Sequence, residues 1–219
     1  SGTWSLMGTE LLEANCSPES KASNLTNEGG YGSFRFLKNI MGLWMIQSVK
    51  KEIGEGLGYD EICRQASRCN IPSIVNCNDH RFLAPENMTR EVQEACRESG
   101  QQIPRGLAQA AGVIYNSLAK CYAQTVREIA GITGQQYDRI HIVGGGANAD
   151  YLNRLTAQAT GLPVYAGPIE AAAIGNVAVQ MLAMGELTDL EDIRACVYRS
   201  FPLEKLGEKN DDEPCKKGA

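Results

Sequence analysis

The sequence predicts an α/β protein, a mixed sheet with flanking helices, and three observations carry that expectation. The opening reads as strand and turn: SGTWSLMGTELL at 1–12, then NEGGYGS at 27–33, with its glycines crowded into one short stretch. The middle repeats apolar residues at helical spacing, most clearly over 105–130. The end alternates strand, helix, strand, helix, the pattern of a right-handed parallel βαβ unit. An antiparallel opening joined to a parallel end requires a mixed sheet.

Each element has its own reason. Residues 1–12 are rich in Thr, Trp and Leu around Gly-Thr pairs and predict a strand bent by a tight turn. Residues 13–26 are polar and predict a loop, and 27–33 a hairpin turn. Phe34, Phe36 and Leu37 lead into a helix expected from about Met41 to Ile53, with Trp44, Met45, Val49 and Ile53 on one stripe. A short helix is expected over 59–67. Residues 70–90, with Pro72, Pro85 and many Asn and Asp, form a long excursion that must be functional or packed on its own side chains. A helix over 89–99 has Thr89 as its candidate N-cap. Over 105–130, Leu107, Ala111, Ile114, Leu118, Tyr122, Thr125 and Ile129 form one buried stripe, with Gly131 and Gly134 as stops. A strand at 137–143 runs into Gly144-Gly145-Gly146, followed by helices at 148–160 and 168–184 around a strand at 164–166. Residues 1–203 are read as one lobe and 204–219 as a charged, loosely ordered tail.

Composition removes several function classes. The chain has 219 residues, 43% hydrophobic and 21% charged, which excludes disorder of the whole. A net charge of -5 argues against a general nucleic-acid binder, which needs a basic face for phosphates. The longest apolar run, Ile40–Ile46, is far too short to span a membrane. The 8 cysteines contain no Cys-x-x-Cys, and His80 and His141 are not spaced with them as zinc ligands. Reduced thiols in a cytoplasmic protein are the expectation, so the sequons at Asn24 and Asn87 read as chance. The opening Ser1-Gly2-Thr3-Trp4 reads as the interior of a longer protein.

The glycines carry the chemistry. A strand running through three glycines into a helix brings free N–H groups and partial positive charge to one place, with no Cβ to keep a ligand away. No Walker-type string is present. Gly144, Gly146 and Ala149 satisfy the dinucleotide pattern, with Glu170 as a possible ribose ligand, but this strand comes late in the chain instead of opening a domain. Gly2-Thr3 presents a second small-residue turn. Together the two loops form a plausible clamp on a nucleotide.

Five strings extend this reading: SGTWSLMG at 1–8, NLTNEGGYGSFRFLKNIMGLWMIQ at 24–47, NDHRFLAPENM at 78–88, HIVGGGANADYLNRLTAQATGLPV at 141–164 and AGPIEAAAIGNVAVQ at 166–180. Together they resemble the C-terminal lobe of the FGGY carbohydrate kinase family, and in particular its rhamnulose-phosphorylating members. The resemblance implies a ribonuclease H-like lobe of the actin and hexokinase type, with ATP in a cleft against a second lobe. It implies transfer of the γ-phosphoryl group of ATP, with Mg²⁺, to the 1-hydroxyl of L-rhamnulose. Residue by residue it assigns nucleotide contacts to Thr3, Gln47, Gly145 and Gly146 and a sugar-side contact to Asn39, with no catalytic and no metal-binding residue in this chain. Gln47 as a solvated helix residue, Asn39 as a helix cap, and Trp4 and Trp44 as core side chains are the structural alternatives.

The family's catalytic Asp, in a His-Asp-Thr motif that would lie just upstream of Ser1, is absent, as is the N-terminal lobe. The four acids weighed as substitutes, Asp79, Asp138, Asp150 and Glu170, have no partner visible in sequence. The chain alone is therefore expected to be inactive. A stand-alone nucleotide-binding module, a kinase lobe for another ketose and a dinucleotide-dependent oxidoreductase piece are the rival readings. Replacing Gly146 with Leu is expected to abolish nucleotide binding and spare the fold.

Overall fold

The computed structural model describes residues 1–207. Strand β1 (Trp4–Leu11) pairs antiparallel with β3 (Phe34–Met41) along its whole length, from Trp4 opposite Met41 to Leu11 opposite Phe34. Strand β2 (Leu25–Gly29) pairs with the other edge of β3, giving the order β1-β3-β2. The hairpin turn falls where the glycines predicted it, closed by the Gly30 N–H on the Ser33 carbonyl at 2.9 Å. The segment expected to be loop at 13–26 also holds a short helix, α1 (Pro18–Ala22), whose N-cap Ser17 accepts from the Ser20 N–H.

The expected helix from Met41 begins later. Residues up to Met41 belong to β3, and α2 spans Trp44–Ile53. Apolar runs such as Ile40–Ile46 have no period that separates strand from helix, and here the cross-strand bonds to β1 decide it. Gly42 makes the turn, at a crossing so close that a Cβ would lie 2.6 Å from the Trp4 carbonyl carbon. Trp4 and Trp44 part ways as core candidates. Trp4 is 44% exposed, while Trp44 is half-buried with its indole N–H on the Phe82 carbonyl at 3.3 Å.

Helices α3 (Tyr59–Ser67), α4 (Met88–Glu98) and α5 (Gly106–Thr133) complete the main core. The stripe read on α5 is buried at Ala111, Ile114, Leu118, Tyr122, Thr125 and Ile129 and packs against α2 and α3. The excursion at 70–87 is packed on its own side chains, with Ile71, Cys77 and Phe82 buried and Ser117 of α5 accepting the Val75 N–H at 2.9 Å. The N-cap of α4 is Asn87, which accepts from the Arg90 N–H at 2.7 Å, and not Thr89. Thr89 lies inside the helix, and its N–H and hydroxyl donate to the Glu52 carboxylate at 2.9 and 2.6 Å.

The closing βαβ unit is present. Strand β4 (Ile140–Ile142) and β5 (Val164–Ala166) are parallel, linked through α6 (Asp150–Thr160). Helix α7 (Ala171–Ala183) buries only Ala178 and packs on α8 (Leu190–Ser200), a helix the sequence patterns did not mark. Residues 204–206, assigned to the charged tail, instead form β6 (Glu204–Leu206), antiparallel to β5, with Leu206 buried. The remainder of that tail, 208–219, lies outside the described residues.

Among the described residues the strands form two three-stranded sheets, β1-β3-β2 and β4-β5-β6, and the second is the mixed one. The outer edges of β1 and β4 face one another across cavities of about 90 and 300 Å³, each lined by Leu6 and Met7 from one side and Ile140 and His141 from the other. No helix among the described residues is long and apolar enough to cross a membrane.

Candidate nucleotide site

The glycine loop meets the start of β1. Gly144 adopts φ 78° and ψ −168°, a backbone conformation natural only to glycine. Its N–H reaches the Pro168 carbonyl at 3.2 Å. A 3-10 turn, Gly145–Asn148, then leads into α6. Gly146 lies beneath Ser1: its N–H donates to the Ser1 carbonyl at 2.8 Å, and an added Cβ would stand 2.5 Å from the Ser1 side chain. The Ser1 backbone nitrogen donates to the Val143 carbonyl at 2.8 Å.

Buried polar groups hold this junction. The hydroxyls of Ser1, Ser5 and Tyr122 form a chain with contacts of 3.1 and 2.6 Å. Burial pushes the Tyr122 phenol up to about 12, so it stays neutral and a hydrogen-bonding partner at neutral pH. Asn153, 1% exposed on α6, donates to the carbonyls of Gly146 and Ala147. The start of β1 is likewise stitched to α2, with the Leu43 N–H on the Gly2 carbonyl at 2.9 Å and the Trp44 N–H on the Thr3 carbonyl at 3.0 Å.

A cavity of about 350 Å³ opens between these parts, within the size range of small-molecule sites. Gly2, Gln47, Tyr59, Asp60, Gly145 and Asn148 line it, with Tyr115 and Cys63 also on its wall. The Tyr115 hydroxyl and the Cys63 sulfur are 3.4 Å apart, and the Tyr115 ring meets Tyr151 edge-on at 5.7 Å. Burial raises the pKa of both Tyr115 and Cys63, so both are neutral at pH 7. The Lys50 ammonium sits 5.2 Å from the centre of the Tyr59 ring.

Of the residues singled out from sequence, Gln47 and Gly145 line this cavity. Gly146 does not; it is buried behind the loop against Ser1. Thr3 is exposed beside Gly2, and its carbonyl anchors α2. Asn39 is exposed on β3 opposite Leu6, so it does not cap α2 and does not line the cavity. The four acids weighed as substitute bases are occupied elsewhere or exposed. Asp79 caps a 3-10 turn through the Arg81 N–H at 3.0 Å, Asp138 pairs with Arg139 at 2.8 Å, Asp150 pairs with Arg154 at 3.0 Å, and Glu170 is exposed at the start of α7.

Sequence reasoning missed Tyr59, Asp60 and Tyr115. Nothing in their local pattern distinguishes them from ordinary helix residues; α3 and α5 bring them to the cavity. Asn148, two residues after Gly146, had a signal but stands one position before the Asn that the family pattern has at Ala149, so no contact is assigned to it. Among the described residues, no group of three or more His, Cys, Asp or Glu side chains is arranged to hold a metal ion.

Comparison with known proteins gives a consistent result. Residues 1–184 match the model of the C-terminal domain of the FGGY family of carbohydrate kinases. A rhamnulokinase of Bacillus subtilis is 42% identical over 214 residues, covering 97% of this chain and 44% of its own length. A rhamnulokinase of Klebsiella pneumoniae shows the same figures, 42% over 214 residues, 97% and 44%. The chain thus spans less than half the length of these relatives. Among solved structures, the xylulose kinase of Rhodospirillum rubrum superposes with a TM-score of 0.62 at 16% identity, covering 89% of this chain and 39% of that one. The ligand-bound xylulose kinase of Lactobacillus acidophilus gives 0.60 at 12% identity, again covering 89% and 39%. The two structures share the fold.

Proposed function

The chain belongs to the FGGY family of carbohydrate kinases, and from that premise we propose that it is the ATP-binding part of an enzyme that phosphorylates L-rhamnulose at its 1-hydroxyl. The observation that carries this reading is the convergence of Gly2, Gln47 and Gly145, far apart in sequence, on one cavity of about 350 Å³. The substrate follows the rhamnulokinase relatives at 42% identity.

Phosphoryl transfer asks little covalent chemistry of the protein. It needs positioning and stabilisation of charge on the phosphates. Gly145, with open space where a Cβ would stand, lets the nucleotide approach the backbone. Gln47 and Asn148 offer amides that donate and accept on the same wall. The phosphate contact is assigned to Thr3, next to the cavity-lining Gly2, and a sugar-side contact outside this cavity to Asn39. Mg²⁺ would neutralise charge on the nucleotide phosphates, and Asp60 is the carboxylate that this wall would offer it.

The general base and most sugar contacts come from polypeptide outside these residues. Two features support an absent partner lobe. Helix α7, AAAIGNVAVQMLA, leaves Val177 and Val179 exposed. The unpaired edges of β1 and β4 face each other across the cavities between them. A strand placed there, antiparallel to β1 and parallel to β4, would join the two sheets into one.

Calorimetric titration of this chain with Mg-ADP and, separately, NAD tests the reading. Saturable Mg-ADP binding without NAD binding is expected, with L-rhamnulose phosphorylation only by the longer parent. NAD binding without ADP binding, or a parent that ignores L-rhamnulose while phosphorylating another ketose, would overturn the nucleotide or the sugar assignment respectively.

A further inference from the structure

A further cavity, of about 440 Å³, lies on the other side of α5, between that helix and the 70–87 segment. Two cysteines line it. Cys77 is 1% exposed, on the packed segment; Cys121 is partly exposed, on α5. The two side chains lie close enough that each influences the ionisation of the other. The Asn78 amide donates to the Cys121 sulfur at 3.4 Å, and it is held in that orientation because its oxygen accepts the Met41 N–H at 3.3 Å. Because Asn78 directly follows Cys77, the bond to sulfur holds the backbone beside Cys77 against Cys121.

We propose that Cys121 and Cys77 are a redox-reactive dithiol, oxidised by hydroperoxides to an intrachain disulfide that staples the 70–87 segment to α5. The chemistry balances in two steps. The Cys121 thiolate attacks the outer peroxide oxygen; the O–O bond breaks, a sulfenic acid forms, and the departing hydroxide or alkoxide takes a proton to become water or an alcohol. The Cys77 sulfur then attacks the sulfenic sulfur; the S–S bond forms, the S–O bond breaks, and the Cys77 proton leaves with the hydroxide as water. Two thiols supply the two electrons that reduce the peroxide.

The surroundings assign the roles. The groups facing Cys121 are Cys77 from the packed segment, Lys38 from β3, and Lys120 and Glu128 from its own helix, with Lys38 and Glu128 paired at 2.7 Å. The neighbouring Cys77 is the main influence lowering the Cys121 pKa, to about 7, while Cys121 and burial raise that of Cys77. Cys121 is the attacking thiolate and Cys77 the resolving thiol.

The test is peroxide treatment of the folded chain, alkylation and non-reducing peptide mapping. The expected product is a Cys77–Cys121 cross-linked peptide that disappears with dithiothreitol. Cys121→Ser must abolish it. Cys77→Ser, with Cys77→Ala as the packing control, must leave a sulfenic acid on Cys121 that dimedone traps. Alkylation of Cys121 should rise with a midpoint near pH 7. Absence of the cross-link while Cys16 oxidises, or a sulfenic acid on Cys121 that persists beside an intact Cys77, overturns the proposal.

Discussion

Gly146 and Ser1 are in direct backbone contact, N–H to carbonyl at 2.8 Å, whereas Gly145 beside it faces open space on the cavity wall. Neighbouring glycines therefore serve different purposes, one for packing and one for access. Gly145→Leu is expected to fill the cavity and weaken Mg-ADP binding by at least tenfold in calorimetry, with the unfolding midpoint nearly unchanged. Gly146→Leu, expected from the motif to spare the fold, drives a side chain into Ser1 and should lower stability by about 1–3 kcal/mol. Denaturant titration of the two variants separates these outcomes. Equal stability losses would refute the distinction.

Asn153 keeps the loop in shape through its bonds to the Gly146 and Ala147 carbonyls at 3.2 and 3.0 Å. Its replacement by Ala removes the donor from a buried site and should cost about 1–3 kcal/mol. Because the loop carries Gly145, Mg-ADP affinity should fall with stability in this variant. A loss of stability with full affinity would mean that the loop holds its shape without this clamp.

Glu52 anchors the start of α4. Its two oxygens accept the N–H groups of Met88 and Thr89 and the Thr89 hydroxyl, at 2.6, 2.9 and 2.6 Å. A carboxylate on free N–H groups at a helix N-terminus satisfies donors and favours the helix dipole together. Glu52→Ala should lower the unfolding free energy by roughly 2 kcal/mol. Thr89→Val, which removes only the hydroxyl donor, should lower it by less. The comparison is read from urea midpoints at equal m-value.

His141 gives a pH dependence with a defined sign. Burial, then the nearby Arg139, lowers its pKa in the folded state, and its ring stacks on Tyr165 at 5.3 Å. The unfolded chain therefore binds a proton more readily, and this residue's contribution to stability is full above the unfolded value of about 6.5 and is lost as pH falls through the lower folded value. As pH rises toward the unfolded value of about 6.5, His141→Asn should show a flatter rise of stability than the parent. Parallel pH profiles would remove His141 from that account.

The sequence by itself determined the elements whose evidence is local: the α5 stripe, the hairpin at Gly29–Ser33, and the strand–glycine–helix–strand unit from β4 to β5. Helical spacing, turn glycines and β-branched runs act over a few residues, so they are visible before folding. The family motifs added Gln47 and Gly145 as cavity residues. Tertiary structure alone decided that Ile40 and Met41 end a strand, because β1 supplies the bonds. It chose Asn87 over Thr89 as the cap, because Glu52 occupies Thr89. It also decided which glycine faces the cavity and brought Tyr59, Asp60 and Tyr115 to its wall. These outcomes depend on groups tens of residues apart meeting in space, and a linear pattern carries no record of which long-range partner arrives.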